Sequence, residues 1–168
     1  MIKTHYVINP SFMYMMGEYD RNGYECTLIR ETERDLMISN TPLEVLDYSI
    51  RCMGFNLSGA MDTSRMIFGN GNKRPIMVNP RYHIVLFPTK SPKHKDNIWF
   101  NPFHIKRTFS QNGKTKALFS NGTSLIIPSR ITSFNHKLLT ADHLKNLTIN
   151  TENMPFWLVL DPSERKKR

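Results

Sequence analysis

The side chains best placed to do chemistry are cations. Lys73, Arg74, Arg81, Lys90, Lys93, Lys95, Lys106 and Arg107 crowd into Lys73–Arg107, with His94 among them. Between Lys73 and Lys145 there are thirteen Lys and Arg against two acids, Asp96 and Asp142. Tyr82, Phe87, Trp99, Phe100, Phe103 and Phe109 interleave these cations. Cations at this density neutralise phosphates and release their counterions. Interleaved rings stack on bases when exposed and fill a core when buried. We read the six rings as core. That points to duplex DNA gripped through its backbone rather than to a single strand stacked on aromatics.

The charge is lopsided as well as large. The formal net charge is +9 over 168 residues. Met1–Asn70 carries six Lys and Arg against nine acids, whereas Gly71–Arg168 carries seventeen against five. An excess held by one part of a chain implies a polyanionic partner.

The residues an enzyme would need are missing from the pattern. No Gly-rich phosphate loop, nucleophile elbow or His-Glu-x-x-His occurs. The acids of the basic part are scattered, and a two-metal nuclease needs several together. The six histidines and the two cysteines, Cys26 and Cys52, lack ligand spacing. We therefore expect no catalytic residues, no metal and no cofactor. Both thiols are expected reduced and mostly buried. No apolar run approaches a membrane span, and Asn9-Pro10 interrupts any leader-like core, so the expectation is a soluble cytoplasmic protein without a membrane partner.

The elements that position the cations are strands bounded by prolines. Pro75, Pro80, Pro88, Pro92 and Pro102 punctuate the apolar runs Ile76–Val78, Ile84–Phe87 and Ile98–Phe100. Proline cannot donate to a sheet ladder, so it marks strand ends and turns. Upstream, Tyr6–Ile8 and Phe12–Met16 favour extended structure. Asp20–Gly23 is a turn leading to a strand at Tyr24–Ile29, and Leu36–Ser39 is a further short strand. Thr41-Pro42 opens a helix striped by Leu43, Leu46, Ile50 and Met53 and stopped by Gly54. Ser58–Ile67 reads equally as a short helix or a loop. Asn112-Gly113 and Asn121-Gly122 are turns, the second joining strands Thr115–Phe119 and Thr123–Ile127. Lys114 and Lys116 share one strand face with Leu118. Ser129–Leu147 is helical in its later part, on Leu138, Leu139, His143 and Leu147. Phe156–Leu160 reads as a last strand, and Ser163–Arg168 as a basic tail. The fold class expected is α+β, a mostly antiparallel sheet with two or three short helices. Residues 1–155 form a single DNA-binding domain, followed at 156–168 by the last strand and tail.

No recognition helix stands out. The helix at Pro42 is acidic, and the one at Leu138 carries only Lys137 and Lys145. A loop such as Lys90–Lys95 entering a narrow A/T-rich minor groove suits the charge better.

The run Lys73–Pro92 (KRPIMVNPRYHIVLFPTKSP), followed by Trp99 and His104-Ile105, resembles the ComK family of bacterial competence transcription factors. So do Ser49-x-Arg51-x-x-Gly54 with Gly59, Phe119–Gly122 (FSNG), and Ser133-Phe134. The resemblance covers about Leu36 to Leu144. It implies a cofactor-free transcription activator that binds paired A-rich and T-rich boxes from the minor groove, as a multimer, on promoters of DNA-uptake genes. It implies as partners double-stranded DNA, further copies of the chain, and an adaptor that delivers the protein to a Clp protease. Our contact expectation is Lys90, Lys93, His94 and Lys95 in the groove, with Lys73, Arg74, Arg81, Lys106 and Arg107 on flanking phosphates. The chain departs from the family pattern after Gly59, where an Arg-Lys pair and then Gly-Thr give way to Ala60–Ser64. It also ends soon after Phe156–Pro162, where longer members carry a further helical tail, so adaptor control is expected to differ. The alternative is a non-enzymatic paralogue that modulates a fuller-length relative and binds little DNA itself. RNA binding through stacked aromatics is a third reading, and it predicts a preference for single strands.

Overall fold

A computed structural model of the chain describes residues 2–71 and 73–150. The expected strand at Phe156–Leu160 and the basic tail lie outside them. The architecture is α+β and mostly antiparallel sheet, as expected. Among the described residues, nine strands and three helices follow in the order β1 (Phe12–Tyr19), β2 (Glu25–Glu31), β3 (Asp35–Ile38), α1 (Pro42–Arg51), α2 (Leu57–Phe68), β4 (Ile76–Asn79), β5 (Ile84–Pro88), β6 (Ile98–Phe100), β7 (Ile105–Gln111), β8 (Lys114–Phe119), β9 (Ser124–Ile127) and α3 (Ile131–Asn150). A 3-10 turn at Pro102–His104 joins β6 to β7.

Six strands form one sheet in the order β3-β2-β1-β6-β5-β4, and β7-β8-β9 form a second. Every strand pair is antiparallel. The period-two alternation of strands divides the interior in two. Met15, Ile29, Ile76, Ile84, Leu86 and Trp99 face Val45, Leu46 and Ile50 of α1, with Leu57, Ala60 and Met61 of α2 packed alongside. Their neighbours Tyr14, Val85, Phe87 and Phe100 turn the other way. There they meet Ala117, Phe119 and Ile127 of the small sheet and Phe134, Ala141 and Leu144 of α3. The large sheet is thus buried on both faces, which is why β5 (IVLFP) is apolar throughout rather than alternating. An aromatic cluster locks the second core. Phe134 meets Phe87 and Phe100 edge to face, with centroids at 5.6 and 5.5 Å.

Several local expectations hold for the reasons given. Thr41 caps α1, accepting from Glu44 N while the Glu44 side chain accepts from Thr41 N, with Pro42 in the first turn. Asn112 (φ 52°) and Gly113 (φ 75°) supply the positive φ values of the β7–β8 turn.

Others need correction. Tyr6–Ile8 lies outside the sheets. Its polar groups bond laterally instead, the Tyr6 hydroxyl to Glu31 and Ile8 N to Ser49 Oγ. Val45, absent from the expected stripe of α1, is buried, while Met53 lies beyond the helix end. Ser58–Ile67 resolves as helix, opened by Asn56, whose side chain accepts from Gly59 N at 2.7 Å. Helix α3 starts at Ile131, earlier than its leucines suggest. Its buried positions are Phe134, Ala141, Leu144 and Thr148, whereas Leu139 is 67% exposed and His143 is exposed. The helix lies between β5 and the small sheet, so a narrow strip decides its rotation, and the aromatic and alanine win over the leucines. Of the two thiols Cys26 is buried but Cys52, capping the end of α1, is exposed.

Candidate nucleic-acid interface

The expected groove loop is the β5–β6 connection, Thr89–Asn97. Its base is pinned. Asn97 Oδ1 accepts from Thr89 N and Lys90 N, both at 3.0 Å, and Ile98 N donates to Thr89 Oγ1 at 3.1 Å. Within the loop His94 N donates to Ser91 O, and His94 Nδ1 accepts from Asp96 N at 3.0 Å. An acceptor Nδ1 leaves the ring proton on Nε2 in the neutral tautomer. Lys93, His94 and Lys95 are exposed and Lys90 half-buried. Pro92–Lys95 and Asn97 also wall a cavity of about 240 Å3 against the tip of the β1–β2 hairpin and Thr41–Leu43. Glu18 and Glu25 line that cavity too, so the cations share their inner side with two carboxylates.

Helix α3 extends this cationic corner. Lys137 Nζ donates to the Thr89 carbonyl at 2.8 Å, beside Lys90. Partial burial pushes the Lys137 ammonium below the usual lysine range, and the nearby charge of Lys73 pushes it the same way. Arg74, next to Lys73, donates one guanidinium N–H to Gly69 O at 2.6 Å, bracing the α2–β4 connection.

Arg81 lies elsewhere. It belongs to the turn Pro80–His83, at the opposite end of the β4–β5 pair from Lys73 and Lys90, as the register Ile76↔Leu86 and Asn79↔Ile84 requires. His83 takes positive φ (56°) there, and its Nδ1 lies 3.1 Å from Thr148 Oγ1 near the end of α3. One turn earlier on α3, Lys145 Nζ sits 4.5 Å from the centre of the Phe103 ring. Phe103 is followed by His104 and then by Lys106 and Arg107, both exposed. Arg107 also stands over Phe109 at 5.4 Å, and Arg81 over Tyr82 at 5.9 Å.

Apart from Arg74, the expected contacts occupy three places. Lys73, Lys90, Lys93, His94 and Lys95 gather around the β5–β6 loop and Lys137. Arg81 lies at the far end of the β4–β5 hairpin. Lys106 and Arg107 start β7, and Arg107 belongs to the outer face of the small sheet. The register Arg107↔Leu118, Phe109↔Lys116, Gln111↔Lys114 and Lys116↔Ile126 puts Arg107, Phe109, Lys114 and Lys116 on that face. Thr115, Ala117 and Phe119, on the other face, are buried.

Sequence reasoning passed over Lys137 and Lys145. Their spacing of eight residues, two helical turns and a little more, puts them on one stripe and was the available signal. The aromatics also divide. Phe87, Trp99 and Phe100 are fully buried, as expected, but Tyr82, Phe103 and Phe109 are exposed, and each carries a cation within 6 Å of its ring.

The departure at Ala60–Ser64 falls inside α2. Ala60 packs against the first core, Ser64 Oγ donates to Pro75 O at 2.6 Å, and Asp62 pairs with Arg65 at 3.4 Å. With Met61 also packed against that core, three of the five residues are committed to the fold, and the acid is matched within its own helix.

A family model described as ComK protein matches residues 3–152. The chain belongs to the ComK family. The match takes in every described strand and helix. A competence transcription factor of Bacillus subtilis (strain 168) is 28% identical over 134 residues, covering 79% of this chain and 69% of the relative. No solved structure matches. Among the described residues no group of three or more His, Cys, Asp or Glu could hold a metal ion, and no helix is long and apolar enough to cross a membrane.

Proposed function

We propose that this ComK-family chain is a DNA-binding regulator of competence transcription, without catalytic activity of its own. It acts in the cytoplasm on the nucleoid and recognises paired A/T-rich boxes in promoters of DNA-uptake genes, with residues 1–155 as one binding unit. One observation carries the reading. The cations of a chain whose relative is a competence transcription factor stand on ordered backbone: a loop tied at its base by Asn97 and Lys137, the β4–β5 turn at Arg81, and the start of β7 at Lys106-Arg107. Pinned cations lose little entropy on meeting phosphates, which suits a preformed groove reader.

In this reading Lys90, Lys93, His94 and Lys95 approach an A/T minor groove, where negative potential is concentrated. Lys73, Arg81, Lys106 and Arg107 hold flanking phosphates, joined by Lys137 and Lys145. Arg74, which braces the α2–β4 connection with one N–H, has further donors for a phosphate beside Lys73. Paired boxes call for at least two copies of the chain on DNA. An adaptor feeding a Clp protease would then limit its level.

The test is a fluorescence-anisotropy titration of an A/T-box duplex and a G/C control at several salt concentrations. The wild type should prefer the A/T duplex. The Lys93→Ala, Lys95→Ala double variant should flatten the slope of log K against log salt by about 1.8 units, about 0.9 for each lost phosphate contact. An unchanged slope would remove the loop from the interface. The absence of cations at Ala60–Ser64 supports the second reading, a modulator of a fuller-length relative. That reading predicts negligible binding alone and altered binding by the relative when the two are mixed.

A further inference from the structure

Phe103 is an exposed aromatic carried on a firmly fastened turn. Its ring is 66% exposed, yet the residues on either side, Pro102 and His104, are buried. The backbone around it is fastened from both directions. Asn101 Oδ1 accepts from Phe103 N at 3.2 Å, while Asn101 Nδ2 donates to Phe12 O at 3.0 Å, tying the turn to β1. His104 Nε2 donates to the Pro10 carbonyl at 2.6 Å, and its Nδ1 lies 2.7 Å from the Ser120 hydroxyl. Ser120 N donates in turn to His104 O at 2.8 Å. A single exposed apolar residue needs no explanation on a pliant loop. Here a rigid knuckle holds an aromatic ring out in water.

The surroundings of the ring say what it meets. Lys145 Nζ lies over it at 4.5 Å, and Lys106 and Arg107 follow it in the chain. A protein partner's apolar pocket would have to desolvate those cations, whereas a nucleic acid pairs them with phosphates. Proteins that grip the minor groove through charge commonly press an apolar side chain between two base pairs. They recover the cost of unstacking through the added backbone contacts. Pyrimidine–purine steps of A/T sequence yield most easily.

We propose that Phe103 is a base-stacking wedge. It enters a flexible step of the duplex, and Lys145, Lys106 and Arg107 hold the phosphates beside the opened step. This rests on the duplex-binding reading above and adds to it a specificity determinant that contributes no charge. Discrimination at the wedged step then comes from its readiness to unstack, not from hydrogen bonds to its edges.

The experiment uses the full chain and A/T-box duplexes with 2-aminopurine placed at successive steps. Wild type, Phe103→Ala and Phe103→Trp are compared for affinity, for 2-aminopurine fluorescence and for the mass of the complex. The wild type should brighten the probe at one or two adjacent steps. Phe103→Ala should abolish that signal and weaken binding about tenfold or more, a typical loss for a stacked ring. Phe103→Trp should keep both. Thermal unfolding should be the same for all three, because the ring is not part of either core. Tight wild-type binding with no brightening at any step overturns the wedge and leaves the duplex reading standing. So does a Phe103→Ala variant that keeps the signal, or one that lowers the mass of the complex while each bound copy still unstacks its step. Failure of the wild type to bind any duplex overturns both readings.

Discussion

Replacing Glu31 with glutamine should destabilise the protein by about 2 kcal/mol near neutral pH and by progressively less as the pH falls. Glu31 ends β2 with only 6% of its surface exposed. Oε1 accepts from the Tyr6 hydroxyl at 2.6 Å and from Asn9 Nδ2 at 3.1 Å, and Oε2 accepts from Arg34 Nε at 2.6 Å. Burial pushes this carboxyl up, but the bonds from Arg34, Tyr6 and Asn9 outweigh it and hold the group below the usual glutamate range. The amide of the Glu31→Gln variant keeps one oxygen for Tyr6 and Asn9 and turns an NH2 group toward Arg34. Each of the first two bonds drops from charge-assisted to neutral strength, a loss of about 1 kcal/mol apiece. The Arg34 arm adds little, since that guanidinium stands in water and is screened. A carboxyl whose folded pKa is depressed stabilises the fold above its unfolded value, about 4.3. That contribution disappears as pH falls through the folded value. Urea titrations of both proteins at steps between about pH 7 and pH 3 should therefore show a gap in stability that closes on the acid side. A gap of constant size, or one that widens in acid, would refute the account. The network also bears on the interface: Asn9 precedes Pro10, whose carbonyl holds His104 and with it the turn that displays Phe103.

The second core rests heavily on Phe134. Phe134→Ala should cost about 4 kcal/mol in urea unfolding, because the fully buried ring touches both Phe87 and Phe100 and the site cannot collapse around its loss. The cysteines should separate in a labelling assay. Cys52 is exposed, while Cys26 is buried, and burial together with Asp20 and Glu18 raises its thiol pKa. A neutral thiol reagent near pH 7.5 should modify one thiol per native chain quickly and the second only in denaturant. Rapid modification of both in the native protein would contradict the burial of Cys26.

Much of the fold was legible in the chain alone. Prolines at strand ends, Asn-Gly turns and the Thr41-Pro42 start are local signals, each set by the φ preference or hydrogen-bonding capacity of one or two residues. They place β4, β5, β6, α1 and the β7–β8–β9 meander without reference to the rest of the molecule. The basic bias of the second part, and the poverty of groups for catalysis, are also properties of composition, and so is the family pattern carried by Lys73–Pro92. Tyr6–Ile8 was misleading because β propensity reflects fit to a half-buried pleat, and this segment finds side-chain partners rather than a ladder.

Tertiary structure decided everything that depends on which side of an element faces what. Leu139 is in water and Ala141 in the core because α3 is rotated by two neighbours far away in sequence. Phe100 and Phe103 are three residues apart, yet one fills the core and the other stands under Lys145. Arg74 braces a loop while Lys73 beside it joins Lys137. A residue's type limits what it can do, but burial and partner are set by long-range packing, which no local pattern encodes. Thus the amino-acid order alone determined that this protein is a basic α+β chain of the ComK family. The assembled fold decided which cations stand exposed and which ring is held out in water.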